Sequence, residues 1–270
     1  MDLVTAMRKI VLMLVIVFLY SCSVKKSTSK ETLLLSLKVM TYNIHHANPP
    51  SKPGFIDLDA IAEVINKEKP DLVGLQEVDQ FTKRSGNIDQ AKLLAQKTGL
   101  YYQFFKAIDY DGGAYGVAIL SKFPILAYAK QDLPQVMKGE ARVMASISIS
   151  LPNKKRLTFA NTHLDAQRPD SNRIVQMKSM LTALEAKKEA VILVGDLNCE
   201  AGKEPIMLLD RTFIRSCVLN CAPTIPVVKP VKTIDYIALK NANWILKEHR
   251  VLPEVYASDH RPVVAVYSLN

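Results

Sequence analysis

The sequence has few of the residues that build stapled, fibrous or disordered chains. Its 270 residues include only four cysteines, ten glycines and one tryptophan. Hydrophobic residues make up 49% and charged residues 23% of the chain, which is typical of a globular protein with a large buried core. This composition excludes a disordered, a collagen-like and a disulfide-knot protein. From residue 35 onwards no linker, repeat or low-complexity stretch interrupts the chain, which predicts one folded domain.

No part of the sequence combines clustered arginines with interleaved aromatic residues, the pattern typical of a nucleic-acid track. The net charge is nevertheless +9, from 35 Lys and Arg against 26 Asp and Glu. A basic surface suits nucleic acid, phosphoesters or an anionic membrane face, and it suits a plain soluble protein almost as well. The net charge alone therefore selects no partner.

Long hydrophobic runs are also scarce, and the clearest one lies near the amino terminus. Ile10 to Tyr20 would rise about 16 Å as a helix, roughly half of a bilayer core. Arg8 and Lys9 precede it, so the run predicts the core of a signal peptide rather than a lasting transmembrane helix. Its end, LYSC at 19–22, resembles the lipobox of bacterial lipoproteins.

The lipobox resemblance implies cleavage before Cys22 and lipidation of its thiol. Residues 1–21 are then a lipoprotein signal peptide, residues 22–35 the lipidated cysteine and a polar tether, and residues 36–270 the folded domain. The protein is expected to be exported and anchored in the bacterial cell envelope, at the outer membrane or facing the periplasm. A plain secretory signal that contains a cysteine is the alternative.

Three cysteines remain after such a cleavage, namely Cys199, Cys217 and Cys221. An odd number excludes a fully paired framework and allows one bridge. Cys217 and Cys221 are close in sequence, but closeness does not establish the geometry that a disulfide needs. We expect three small thiols that fill the core.

Short apolar runs and helical periodicity share the chain from residue 37 onwards. Asp57 has the features of an N-cap, the apolar spacing after it predicts a helix, and Pro70 ends that helix. Strands outnumber helices by more than two to one, which predicts mixed sheets rather than one parallel sheet. Further helices are expected at 88–98, 171–188 and 204–209, and strands near 37–44, 72–75, 101–106, 115–120, 125–131, 141–150, 156–163, 190–194, 233–239, 243–252 and 262–268.

Polar residues recur where the predicted strands end. If these ends share one edge, a single pocket receives carboxylates, amides and histidines, the groups that suit a hard divalent cation and a phosphoester. Each residue alone has an ordinary explanation, such as a solvated acid for Glu77 or a turn for Asp196. Asp235 is the exception, because burying a lone carboxylate within an apolar strand is costly. The residues are Asn43, His45, Gln76, Glu77, Asn161, His163, Asp165, Asp196, Asn198, Asp235, Asp259 and His260.

Taken in order, the segments around these residues resemble the endonuclease/exonuclease/phosphatase family, which includes nucleases, neutral sphingomyelinases and inositol-polyphosphate phosphatases. The resemblance covers about residues 37–268. It implies an α/β fold, a four-layer α/β/β/α sandwich in which two mixed β-sheets pack face to face with helices outside. The segments are MTYNIH at 40–45, LQEV at 75–78, YGVAILSKFP at 115–124, NTHL at 161–164, GDLN at 195–198, IDYI at 234–237 and SDHRP at 258–262.

The resemblance also implies a metal site. Glu77 matches the principal Mg²⁺ ligand, with Mn²⁺ as the alternative ion. Asn43 matches an amide beside the metal and the substrate phosphate, and Asp259 matches an acid near the metal. One position departs from some relatives, which carry an acid where this chain has His45, followed by His46. A neutral imidazole suits Mg²⁺ less well than a carboxylate does.

The same resemblance implies the catalytic residues. Asp196 and Asn198 match the pair that orients or deprotonates the attacking water and holds a phosphate oxygen. His260 matches the histidine that contacts the scissile phosphate, and Asp235 matches the carboxylate that holds this histidine. His163 matches a second histidine and is the candidate proton donor to the leaving group.

Two further basic residues, Arg142 and Arg173, are candidates to hold the substrate phosphate, with solvated surface charges as the alternative. Together these features predict a Mg²⁺-dependent phosphoester hydrolase, a phosphodiesterase that acts on lipid headgroups or other small phosphodiesters. An exported nuclease is the second hypothesis, and an inactive binding module is the third. The expected partners are a phosphoester substrate and the membrane that holds the lipid anchor, with the protein itself a monomer.

Overall fold

Two six-stranded β-sheets form the frame of the domain in a computed structural model, which describes residues 36–269. The strands are β1 (Ser36–Asn43), β2 (Leu72–Gln80), β3 (Tyr101–Tyr110), β4 (Gly113–Ser121), β5 (Ala127–Asp132), β6 (Val143–Ser150), β7 (Arg156–His163), β8 (Ala190–Asp196), β9 (Ile214–Arg215), β10 (Asp235–Lys240), β11 (Ile245–Val251) and β12 (Val263–Ser268). The first sheet has the order β11-β12-β1-β2-β4-β3 and the second β5-β6-β7-β8-β10-β9. Only β1 with β2 and β7 with β8 are parallel, so both sheets are mixed, as predicted.

Four helices lie between the strands, at the predicted places. They are α1 (Leu58–Glu68), α2 (Gln90–Thr98), α3 (Ser171–Glu185) and α4 (Glu204–Leu209). Asp57 caps α1 by accepting a hydrogen bond from the Ala60 amide at 3.0 Å. Asp89 caps α2 in the same way, and Gly99 ends it in the left-handed conformation that glycine adopts without strain. No helix among residues 36–269 is long and apolar enough to cross a membrane.

The hydrophobic core is divided into three clusters. The central one lies between the sheets and combines residues of the first sheet, such as Leu37, with residues of the second, such as Phe159. A second cluster packs α1 and α2 on the outer face of the first sheet, and a third packs α3 and α4 on the outer face of the second. The result is the predicted four-layer α/β/β/α sandwich, which confirms the expected fold class.

The two sheets are in close contact near the edge that carries the polar strand ends. A Cβ atom at Gly74 would lie 2.3 Å from Val194 Cγ2, so only glycine fits there. Beside this contact Gln76 Nε2 donates to Asn161 Oδ1 at 2.7 Å, and Asn161 Nδ2 donates to the carbonyl of Leu75 at 2.9 Å. These bonds join the first sheet to the second and fix the spacing between their polar ends.

One expectation about the cysteines is wrong. Cys217 and Cys221 form a disulfide, with their Cα atoms 5.7 Å apart, because the short loop after β9 turns their side chains toward each other. Cys199 is a free, buried thiol, as expected. The predicted signal peptide, lipidated cysteine and tether lie outside the described residues.

Candidate active site

The topology brings the predicted site residues to one edge of the sandwich. Asn43 ends β1 of the first sheet, and His163 ends β7 of the second. Asp196 ends β8 beside His163. Asp235 begins the antiparallel strand β10 directly opposite Asp196. A hydrogen bond from Asn43 Nδ2 to Asp196 Oδ2 (3.1 Å) then connects the two sheets, so residues far apart in sequence share one pocket.

Glu77 reaches this pocket from a β-bulge. The register of β2 against β4 shifts between Leu75 and Val78, and Glu77 has a φ of +57° within the shifted segment. Such a bulge changes the direction of a side chain and is frequent beside active sites. Glu77 Oε1 accepts a hydrogen bond from Asn43 Nδ2 at 3.0 Å. Burial raises the pKa of Glu77, and the bond from Asn43 offsets part of that rise.

Asn43 connects a carboxylate of the first sheet, Glu77, to a carboxylate of the second sheet, Asp196. Its Nδ2 donates to both Glu77 and Asp196, and its Oδ1 accepts from the His45 amide at 3.1 Å. The side chain therefore presents nitrogen, not oxygen, to Glu77. Its predicted role beside a metal is, in this arrangement, the positioning of the Glu77 carboxylate.

Asp196, His260 and Asp235 form a buried chain of charges. His260 Nδ1 lies 2.9 Å from Asp235 Oδ2, and its Nε2 lies 3.7 Å from Asp196 Oδ2. Burial lowers the pKa of His260, but Asp235 and Asp196 outweigh burial and raise it to about 10. His260 is therefore an imidazolium at neutral pH. Burial and the nearby Asp235 raise the pKa of Asp196, which makes it a better proton acceptor than an ordinary aspartate.

His163 is neutral, in contrast to the cationic His260. Arg142 Nη1 lies 3.1 Å from His163 Nδ1. A guanidinium can only donate, so Nδ1 accepts and the ring proton lies on Nε2, which is 3.5 Å from Asp196 Oδ2. Burial, Arg142 and His260 all lower the pKa of His163. The site thus places one neutral and one cationic imidazole on the same oxygen of Asp196.

Asn198 restrains the other oxygen of that carboxylate. Its backbone amide donates to Asp196 Oδ1 at 2.9 Å, and its Nδ2 donates to the carbonyl of Leu164 at 3.0 Å. The residue has a φ of +47°, in the left-handed region that asparagine tolerates better than most residues. The turn predicted for this segment is therefore present, and it orients the site's carboxylate.

The two candidate arginines are separated by the fold. Arg142 is buried beside His163 and also pairs with Glu140 at 2.8 Å. Arg173 does not join the cluster, because its guanidinium donates to the carbonyl of Asp165 at 2.6 Å and pairs with Asp170. It lines a neighbouring cavity of about 210 Å³ that also touches Asn198.

The part of the chain that carries the polar edge matches a known protein family. The sequence model of the Endonuclease/Exonuclease/phosphatase family matches residues 40–260. The chain belongs to this family. Hydrolysis of phosphoester bonds, generally with a divalent metal, is the activity that follows from membership.

Individual proteins are similar to this chain over most of its length. The uncharacterized protein YbhP of Escherichia coli (strain K12) is 26% identical over 249 residues, which cover 87% of this chain and 97% of that protein. A family member from Beutenbergia cavernae superposes with a TM-score of 0.70 at 22% identity, over 87% of this chain and 72% of that one. The human Nocturnin catalytic domain with bound sulfate superposes with a TM-score of 0.69 at 20% identity, over 87% and 95% of the two chains. Both solved structures share the fold of this chain.

Two further residues position the site and were not among the site residues predicted from the sequence. Ser258 Oγ donates to the carbonyl of Asn43 at 2.7 Å and accepts from the His260 amide at 3.3 Å, which ties the last loop to β1. Gln90 Nε2 donates to the carbonyl of His46 at 2.7 Å. The SDHRP segment contains the first signal, whereas no pattern in the sequence connects residues 46 and 90.

The acids in the site differ in their fitness for the family's divalent metal. Glu77 is a largely buried carboxylate, and no lysine or arginine within residues 36–269 pairs with it, so a bound cation would compensate its charge. Asp259 is half-buried and raises the pKa of Glu77, which places a second negative charge near the same point. Asp196 and Asp235 already share the charge of His260. The metal therefore fits best at Glu77.

Proposed function

We propose that the protein is a divalent-metal-dependent phosphodiesterase that acts on small phosphodiesters, lipid headgroups among them. The observation that carries the proposal is the Asp196 carboxylate, held between the neutral imidazole of His163 and the cationic imidazole of His260. A base flanked by one neutral and one charged hydrogen-bond donor can orient water and stabilise phosphoryl oxygens in the same pocket.

Each residue then has one task. Asp196, restrained by the Asn198 amide, accepts a proton from the attacking water. His260 donates its Nε2 proton in a hydrogen bond to a phosphoryl oxygen, and Asp235 maintains the positive charge that makes this bond strong. His163 offers a neutral Nε2–H donor, so it donates a hydrogen bond to the leaving oxygen as the bond from phosphorus to that oxygen breaks, and the leaving oxygen takes its proton from solvent.

A divalent cation on Glu77 supplies Lewis-acid neutralisation of the negative charge on the phosphoryl group when it is bound. Mg²⁺ is the ion expected from the sequence. Asn43 keeps the Glu77 carboxylate facing the pocket and at a fixed relation to Asp196.

The charge of the pocket supports a diester over a monoester. Glu77, Asp196, Asp235 and Asp259 surround the reacting position, and a divalent cation together with the imidazolium of His260 would offset three of these four charges. A phosphodiester carries a single negative charge, whereas a monoester is close to doubly charged at neutral pH. Repulsion from the carboxylates is therefore weaker for the diester. The fold itself does not decide this, since a structural neighbour is a mannosyl-6-phosphatase from Bacteroides thetaiotaomicron (TM-score 0.69, 19% identity over 85% of this chain and 98% of that one).

A lipid headgroup is the favoured source of the diester because the expected lipidation of Cys22 would keep the enzyme at a membrane. The nuclease alternative lacks a track of arginines and aromatic residues in the sequence.

The test offers four substrates to the purified full-length chain in detergent. Bis-p-nitrophenyl phosphate, p-nitrophenyl phosphate, plasmid DNA and a choline phospholipid are each assayed with Mg²⁺, with Mn²⁺ and with EDTA. We expect metal-dependent hydrolysis of the small diester and the phospholipid, with slower hydrolysis of the monoester. Faster hydrolysis of the monoester, or cleavage of DNA without cleavage of the small diesters, would overturn the proposal.

The Glu77→Gln variant tests the metal position within the same assay. It should lose metal-dependent turnover while the protein remains folded, because the amide keeps the shape of the side chain but not its charge. Glu63→Gln, at an exposed position on α1, is the matched control and should behave as wild type. Near-normal turnover of Glu77→Gln at saturating metal would show that Glu77 is not the main ligand.

A further inference from the structure

The two histidines that follow β1 are unexplained by the proposed reaction, yet they lie beside Glu77. His45, His46 and Ala47 form a 3₁₀ turn in which all three residues have positive φ angles, of 47°, 43° and 58°. Consecutive left-handed residues are rare and are kept only where the surroundings hold them. Ligand atoms of His45, His46 and Glu77 all lie within 4.8 Å of one another.

His45 has the hydrogen bond of a metal-ligating histidine. Its Nδ1 lies 2.8 Å from the carbonyl oxygen of Asn48. A carbonyl can only accept, so the ring proton lies on Nδ1 and the lone pair of Nε2 is available. Metal-bound histidines commonly donate their second ring nitrogen to a backbone carbonyl in this way, which fixes both the tautomer and the ring orientation.

His46 and Glu77 leave a gap that an ion would bridge. His46 Nδ1 is buried and has no hydrogen-bond partner within the described part of the chain. It lies 4.0 Å from Glu77 Oε2, too far for a hydrogen bond and wider by about 0.6 to 1 Å than the separation of two atoms that are each about 2.1 Å from one metal, so a bound ion would draw the two side chains together. Asn43 occupies the other oxygen, Oε1, so Oε2 is the oxygen that faces the gap.

The turn that carries the histidines is held from outside the site. Gln90 Nε2 donates to the carbonyl of His46 at 2.7 Å, and Gln90 Oε1 accepts from the Asp79 amide at 2.9 Å. Asp79 is in turn bound by Arg84 through two hydrogen bonds of 2.7 and 2.8 Å. This network fixes the carbonyl of His46 from the side of α2 and maintains the turn, so the imidazoles stay in position before an ion arrives.

We propose that His45, His46 and Glu77 form a site of two nitrogens and one oxygen that selects a transition-metal ion, such as Mn²⁺, Co²⁺ or Zn²⁺, over Mg²⁺. Imidazole suits Co²⁺ and Zn²⁺ and binds Mn²⁺ more weakly, whereas Mg²⁺ prefers oxygen ligands alone. The inference rests on the metal position of the proposed function and names the ion class of that position. It replaces the Mg²⁺ expected from the sequence with a softer ion, because the acid that some relatives carry is His45 here.

Metal binding to the full-length chain in detergent tests the proposal without any substrate. After treatment with EDTA and dialysis, the protein is titrated with Co²⁺ while the visible absorption of the bound ion is recorded, and Mg²⁺ and Mn²⁺ are then added as competitors. The wild type should bind Co²⁺ and Mn²⁺ more tightly than Mg²⁺. His45→Asn and His46→Asn should each weaken Co²⁺ binding by at least about tenfold, the smallest loss expected when even a supporting residue is removed.

Asparagine is chosen because it tolerates the positive φ angles of the turn. His249→Asn is the matched control, because His249 lies on the edge strand β11, where it contacts Ser216, and it should not affect Co²⁺ binding. His45→Asp should shift the preference toward Mg²⁺, and circular dichroism shows whether each variant folds. If an asparagine variant does not fold, the wild-type order of affinities and the His45→Asp shift decide the matter.

Mg²⁺ binding as tight as Co²⁺ binding in the wild type would overturn the proposal. Co²⁺ affinity that is unchanged in both histidine variants would also overturn it. Co²⁺ affinity that is lost when Asp235 is replaced would do the same. The binding result is separate from the proposed activity. A protein that binds Co²⁺ through the histidines but hydrolyses no diester would refute the proposed function alone, and a diesterase indifferent to these histidines would refute this inference alone.

Discussion

Replacing Asp235 by asparagine should remove the charge that keeps His260 protonated. His260 is only 4% exposed, and burial alone would favour its neutral form. The carboxylate of Asp235, 2.9 Å from Nδ1, is the largest influence that opposes burial. Asparagine has nearly the same shape and can still accept from Nδ1–H, so the change isolates the charge from the packing.

The size of the effect follows from the pKa of His260. Burial lowers that pKa, whereas Asp235 and Asp196 raise it, for a net rise from 6.5 to about 10. At about 1.4 kcal/mol for each pH unit, the rise corresponds to about 5 kcal/mol in favour of the imidazolium. Without the charge of Asp235 the pKa of His260 should fall, and a larger fraction of His260 lacks the Nε2 proton that it donates to the phosphoryl oxygen. Loss of one preorganised donor typically lowers kcat by about 10² to 10³.

The same change should alter how stability depends on pH. Because the pKa of His260 is raised on folding, the wild type has its full contribution below about pH 6.5 and loses it as the pH approaches 10. The free energy of unfolding should therefore decline from neutral to alkaline pH in the wild type. Asp235→Asn should show a smaller decline, which urea denaturation at pH 6, 8 and 10 would measure.

The decisive assay is the dependence of kcat/KM on pH for a small phosphodiester. The alkaline limb should move to lower pH in Asp235→Asn, and the double variant with His260→Ala should be little slower than His260→Ala alone. Asp132→Asn, at an exposed position on β5, controls for loss of an aspartate and should leave the profile unchanged. An unmoved alkaline limb, or fully additive losses in the double variant, would refute the paired role of these residues.

Three further predictions concern other parts of the molecule. Arg142→Met should free His163 Nδ1 to accept a proton, so the acidic limb of the rate profile should move to higher pH; an unchanged limb would show that Arg142 does not set the charge of His163. Gly74→Ala should lower the free energy of unfolding by about 1 to 3 kcal/mol in urea denaturation, because the new methyl group meets Val194, and wild-type stability would contradict the close contact of the sheets. Cys22→Ser should release the protein from the membrane fraction without acyl label, and label that persists would contradict the lipobox.

Local physical chemistry explains why most of the fold could be predicted. Asp57, Pro70 and Gly99 mark helix ends through a cap, a missing amide and a left-handed turn, and these effects depend only on neighbouring residues. The strand-rich pattern predicted mixed sheets, and the resemblance of the motifs to a known family implied that there are two of them, packed face to face. Asp196 was predictable for the same reason, since it ends β8 after an apolar run, whereas Glu77 was predicted at a strand end and lies at a bulge within β2.

Contacts between distant residues needed the tertiary structure. Arg142 and Arg173 are equivalent candidates in the sequence, but the packing buries one against His163 and pairs the other with Asp170. The direction of the Asn43 amide likewise depends on Glu77 and on Asp196, which is 153 residues away in the chain.

The sequence by itself therefore determined the helices, the strands and the set of polar groups at their ends, because caps, apolar periodicity and strand termination act within a few residues. Only the tertiary structure decided the Cys217–Cys221 disulfide, the neutral form of His163 beside the cationic form of His260, and the approach of His46 to Glu77. Each of these depends on which atoms meet after the sheets have packed. A hydrogen bond or a charge acts over a few ångströms, and the distances at that scale are set by the packing of the whole domain.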